Sequence, residues 1–235
     1  MGIGDTLRDA WSLYTRHLGR FFLTALVVYA VLDLFSALAD AAAGDSTLAA
    51  VVWGLVATVV SIVGFFWVQG ALVETVRDVR DGRADRTLGE TYQAVQSRLP
   101  ALIAAGIIAG IAIIIGLILL IVPGLFLITI WSMIGAVIVL EGRSAGESFG
   151  RSREIVRGHG WSVFGLLVIV FVLVTIAEAV IGLLFAPLPD FFDAWIGGLV
   201  AHSLTIPFAV AAVTTAYFKL TAADDGEPAP SAATA

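Results

Sequence analysis

Apolar residues fall along this chain in long unbroken blocks, not in the alternation that marks half-buried strands. Six blocks reach or approach the roughly 20 helical residues needed to cross a hydrocarbon core about 30 Å thick. They run Phe21–Ala39, Leu48–Val73, Ala101–Val122, Leu125–Leu140, Trp161–Phe185 and Trp195–Phe218. The fourth is the shortest and carries Trp131 and Ser132 in its middle. Only Pro123-Gly124 separates the third from the fourth, and that dipeptide predicts a tight turn closing an antiparallel hairpin. Beyond Leu220 the chain becomes polar and Pro-punctuated, which predicts a disordered cytoplasmic tail over residues 222–235. The pattern predicts an all-α polytopic transmembrane bundle of six spans, with the membrane domain covering residues 1–221.

Three short amphipathic segments precede the odd-numbered spans. Gly4-Asp5-Thr6-Leu7, Gly89-Glu90-Thr91-Tyr92 and Gly146-Glu147-Ser148-Phe149 share one register. Extended, it aligns Ile3, Leu7, Ala10 and Tyr14 with Leu88, Tyr92, Val95 and Leu99, and with Ala145, Phe149, Ser152 and Val156. The spacing i, i+4, i+7, i+11 marks one helix face. Arginines and acids fill the other face, with Glu147 and Arg151 placed to pair at i, i+4. The expectation is a pseudo-threefold repeat over about 3–75, 88–141 and 145–220. Each unit would be a short cytoplasmic helix lying in the headgroup plane, followed by a transmembrane hairpin, with the relating axis along the membrane normal.

Composition agrees with the pattern. Apolar residues make up 59% of the 235, charged residues 14%, and mean hydropathy is +0.98, far from the usage of soluble domains. All 13 lysines and arginines fall before span one, between spans two and three, between four and five, or after six. The positive-inside bias therefore predicts a multi-pass protein of the cytoplasmic (inner) membrane with both termini inside. The net charge of −6 then comes from Asp40, Asp45, Asp190 and Asp193 outside, with Asp33 and Glu178 inside spans. Such a surface lacks the basic footprint of a nucleic-acid binder. With no cysteine, disulfides, thiolate catalysis and Cys-ligated metal are excluded. The acidic, polar start lacks the basic n-region of a cleavable signal peptide, so the first span is expected to be retained.

A group of positions around the third to fifth spans carries a family resemblance. Pro123-Gly124, Glu141-Gly142, Ala145, Phe149, Arg151-Ser152, Ile155-Val156, Gly158 and Trp161 resemble the six-span membrane domain associated with glycerophosphoryl diester phosphodiesterases and related bacterial and archaeal inner-membrane proteins. The match covers about residues 100–170. The resemblance implies a membrane-embedded, lipid-adjacent role. It carries over no catalytic residue, and the short tail leaves no room for the soluble phosphodiesterase domain found in some members.

Ionisable groups inside spans are costly and mark cavities, partners or function. Here they are Asp33, Glu178 and His202, each roughly 10–12 Å from the outer end of its span at 1.5 Å per residue. Together they form one candidate polar layer able to relay protons, bind a cation or hold a polar headgroup. The structural alternative puts Asp33, Ser36 and Asp40 along a water-filled outer funnel and pairs Glu178 with His202. Arg143, Arg151, Arg153 and Arg157 are candidate lipid-headgroup contacts, or topology determinants partnered by Glu147 and Glu154.

Other features read as architecture. Trp53, Trp67, Trp161 and Trp195 sit at span ends as an interfacial belt. Gly106 and Gly110 form a GxxxG for internal packing, and Pro207 is expected to kink span six and free a carbonyl near Ser203. No nucleophile, phosphate-loop, dinucleotide or metal motif is present, so no catalytic residue, metal or cofactor is expected. The leading expectation is a non-enzymatic module that binds or organises membrane lipids, or serves a protein partner. The alternative is a small transporter or proton/ion pathway through Asp33, Glu178 and His202.

Overall fold

The computed structural model describes residues 1–43, 47–82, 86–189 and 192–224. Asp45, Asp190 and the tail from 225 lie outside the described residues, as do the side chains of Asp40 and Asp193. Helices are α1 (Ile3–Arg16), α2 (Leu18–Ala43), α3 (Thr47–Arg80), α4 (Leu88–Gln96), α5 (Leu99–Leu119) and α6 (Ile121–Ile130). They are followed by α7 (Ile134–Ala136), α8 (Ala145–Val156), α9 (Gly160–Phe185) and α10 (Gly198–Asp224). Two π-helical turns, Val137–Glu141 and Asp193–Gly197, extend α7 and lead into α10. Among the described residues there is no strand.

Six helical stretches are long and apolar enough to cross a membrane: Leu18–Ser36, Thr47–Arg80, Leu99–Leu119, Ile121–Glu141, Gly160–Phe185 and Trp195–Ala222. Their apolar residues at one end of the bundle are exposed, as for Leu48, Leu119 and Leu183 at 72–76%. The core gathers at the arginine-bearing end, around Phe21, Leu72, Val76, Val137, Ile138 and Ala212. The length of α3 explains this. Its 34 residues extend about 50 Å, well beyond a hydrocarbon core; α4 packs along the excess, while α1 packs on α10 and α8 on α5 and the fourth span. The faces of α1, α4 and α8 are accordingly turned into protein: Thr6, Ala10, Tyr14, Thr91, Val95, Ser148, Ser152, Ile155 and Val156 are all buried. Much of the surface expected to dip into the bilayer instead packs on the bundle.

The hairpin between the third and fourth spans corrects the sequence reading. The turn is the single extended residue Leu120 (φ −158°, ψ 134°), and Pro123 sits in the first turn of α6, where no helical N–H is required of it. Gly124 lies against α5: a Cβ on Gly116 would stand 3.1 Å from the Gly124 backbone. The Pro-Gly pair therefore starts a helix and permits close packing.

The fourth span is broken after Ile130. Trp131–Met133 form a turn before the helix resumes, and Ser152 of α8 fits the break. Its hydroxyl donates to the Ile130 carbonyl (2.8 Å) and accepts from the Met133 N–H (3.2 Å), while Phe149 packs edge-on against Trp131. The span ends at Gly142 in the left-handed region (φ 70°), a conformation that favours glycine. Arg98 donates to the Gly142 carbonyl at 3.0 Å.

Candidate functional site

The intramembrane polar residues are drawn together by α2, α9 and α10. His202 Nδ1 lies 3.3 Å from Asp33 Oδ2, and Glu178 accepts from the Thr205 hydroxyl at 2.9 Å. The pairing expected between Glu178 and His202 is thus corrected: α10 turns His202 toward α2 and Thr205, three residues on, toward α9. Tyr29, one turn before Asp33, places its ring 5.1 Å from the His202 ring. Tyr29 and Thr205 were missing from the sequence reading, although their spacings of four and three residues from Asp33 and His202 put them on the same faces.

Deeper in α10, Pro207 removes the N–H that would bond the Ser203 carbonyl. The Ser203 hydroxyl is fully buried and has no hydrogen-bond partner among the described residues. One residue on, the Leu204 carbonyl accepts from the Tyr14 hydroxyl at 2.9 Å, and Trp11 and Tyr14 both pack on Phe208. Burial pushes the Tyr14 phenol up to about 12, so it stays a donor at any physiological pH. Helix α1 therefore seals the proline region of α10, with Lys219–Asp9 at 2.5 Å fixing their far ends.

At the arginine-bearing end, two carboxylate clusters organise the cations. Glu141 accepts from Arg143 (2.9 Å), Arg151 (3.1 Å) and the Tyr217 hydroxyl (2.9 Å). Glu74 and Asp78, both buried on α3, hold Arg86 and Arg20, the latter at 2.6 Å. Glu147 does not pair with Arg151 as its spacing suggested. It closes a capping box with Ser144, whose hydroxyl and N–H hold the Glu147 carboxyl below the usual carboxylate range. Of the four candidate headgroup arginines, Arg143 and Arg151 are thus held in internal ion pairs, both with Glu141 and Arg151 also with Glu154 at 3.6 Å. Arg153 and Arg157 are exposed and make none of the ion pairs found among the described residues. Close by, Trp161 is 87% exposed.

Gly106 receives the ring of Phe66 where its own side chain would be, whereas Gly110 has open space; the motif is used half for internal packing. Among the described residues, no group of three or more His, Asp or Glu side chains is placed to hold a metal ion.

Residues 45–223 match a domain family of unknown function, DUF7847, and the chain belongs to that family. The matched stretch contains Glu178, His202 and the α8 arginines, and leaves α1, α2 and Asp33 outside it. No curated protein and no solved structure matches the chain, and nothing in these comparisons links it to glycerophosphoryl diester phosphodiesterases.

Proposed function

We propose that this member of the family is a non-enzymatic module of the cytoplasmic membrane that binds or organises anionic lipid, alone or for a membrane-bound partner. The observation that carries this reading is the pair Arg153 and Arg157: exposed, making none of the ion pairs found among the described residues, and followed four residues after Arg157 by Trp161, whose indole is exposed. Basic side chains at a membrane surface attract anionic headgroups with about 1 kcal/mol each. The one-sided distribution of all 13 cations supports an orientation with both termini in the cytoplasm.

The threefold repeat belongs to the same reading. Register-equivalent Thr6, Thr91 and Ser148 are 0–2% exposed, and Ala10, Val95 and Ser152 are each 0% exposed. Thr87 with Glu90 and Ser144 with Glu147 form identical capping boxes, with Gly2 and Asp5 in the corresponding positions. The resemblance of residues 100–170 to the phosphodiesterase-associated membrane domain implies the same lipid-adjacent role and supplies no catalytic group.

Native mass spectrometry of the gently extracted protein tests the proposal. A defined anionic-lipid adduct should persist in Asp33→Asn and weaken in an Arg153→Ala/Arg157→Ala variant. A bare protein, or equal retention in all three, refutes it. The second reading, a proton or ion pathway, is favoured by the Asp33–His202 contact inside the bundle. It requires flux in proteoliposomes that Asp33→Asn abolishes while expression stays normal.

A further inference from the structure

An apolar groove of about 620 Å³ lies between α6 and the start of α9. Leu125, Phe126 and Ile130 form one wall, and Trp161 and Phe164 the other. Its walls are open to the surroundings, with Phe126 at 56% and Trp161 at 87% exposure. One end is made by Gly158, His159 and Gly160; an added Cβ on either glycine would meet nothing within 4 Å, so His159 carries the one side chain these three residues bring to it. Gly158 takes a left-handed turn (φ +82°) that ends α8 and begins α9 within four residues, setting the end of α8 beside this opening.

The charges around the groove are as uneven as its shape. Arg157 immediately precedes the open end, and Arg153 lies one turn earlier on α8. The lining carries no carboxylate; its polar side chains are Thr129, Ser162 and His159, the last at the same end as Arg157. A slot that is cationic at one end and apolar along its length complements one kind of molecule: an anion with a long hydrocarbon chain. A second protein helix would leave the open end and its cations without a counter-charge.

We infer that this groove seats one acyl chain of an anionic phospholipid, with its phosphate held at Arg157 and Arg153. This rests on the lipid-binding reading above and gives that reading a place and a lipid class.

The test uses the full chain in lipid nanodiscs carrying phosphatidylglycerol or phosphatidylcholine with a photoactivatable group midway along one acyl chain, and maps the label by peptide mass spectrometry. Label from the phosphatidylglycerol probe should concentrate on residues 122–130 and 158–164, about tenfold above the phosphatidylcholine probe. Arg153→Ala/Arg157→Ala should bring the two probes to parity. Ser162→Trp, which puts bulk into the groove, should remove label from both segments; Leu125→Trp on the opposite wall provides an independent block should the first variant fold poorly.

Equal labelling by both probes in the unsubstituted protein would overturn the inference. So would cross-links between two copies of the chain through these segments, which would make the groove a subunit interface. Phosphatidylglycerol label elsewhere, with the native lipid adduct intact, would overturn the groove but leave the lipid-binding reading standing. Loss of the adduct itself would remove the reading on which the inference rests.

Discussion

Replacing Ser152 by alanine should destabilise the bundle far more than the same change at Ser148, although both side chains are 0% exposed on one helix. The Ser152 hydroxyl joins both ends of the broken fourth span, donating to Ile130 and accepting from Met133. Its loss orphans a carbonyl and an N–H at once. Each buried unpaired group costs about 1–3 kcal/mol, while interhelical hydrogen bonds in membrane bundles average about 0.6 and reach about 1.7 kcal/mol. Two such bonds put the expected loss at about 2–3 kcal/mol. The Ser148 hydroxyl donates to the Ala145 carbonyl of its own helix (2.6 Å), so its removal should cost less than about 1 kcal/mol. Reversible unfolding in mixed micelles measures both, and amide exchange at Met133 should rise in Ser152→Ala alone. If the two variants unfold within about 0.5 kcal/mol of each other, the hydroxyl does not hold the break together and the account of this span is wrong.

The remaining expectations test the other contacts. Gly106→Ala drives a methyl into the Phe66 ring and should cost about 1–3 kcal/mol by overpacking, with partial recovery in Gly106→Ala/Phe66→Ala; Gly110→Ala should be neutral by thermal unfolding. Glu141→Gln releases Arg143 and Arg151 from a carboxylate only 19% exposed, so stability should fall by about 1–3 kcal/mol while anionic-lipid retention in native mass spectra rises. Hydrogen bonds from Thr87 and Ser144 depress the carboxyls of Glu90 and Glu147. Their stabilisation is therefore complete above the ordinary carboxylate pKa and fades as pH falls through the depressed values. Amide exchange at the first turns of α4 and α8 should accelerate only below about pH 4, and Thr87→Val or Ser144→Ala should give the faster rate at all pH.

The spans are legible because a block of some twenty apolar residues has few other uses; their observed ends lie within four residues of the sequence reading except at α3, which runs seven residues past Val73 to Arg80. The hairpin is ambiguous in the sequence because Pro-Gly signals both a turn and the first turn of a helix; the close approach of Gly116 separates the two. The partners of the fourth-span break and of His202 depend on how helices distant in sequence are rotated, which no local pattern encodes. The arginines show this most clearly. Sequence spacing offers Glu147 and Glu154 as partners; Glu154 does meet Arg151 at 3.6 Å, yet Glu147 caps its own helix, and Glu141 takes Arg143 and Arg151 because left-handed Gly142 turns the chain back toward α8. Since Tyr217 of α10 also donates to Glu141, that carboxylate ties the fourth and sixth spans to α8, and the two arginines bound there belong to architecture. Under the proposed lipid-binding function, the headgroup contacts narrow to Arg153 and Arg157, the two cations whose removal the fold should tolerate and an anionic headgroup should not.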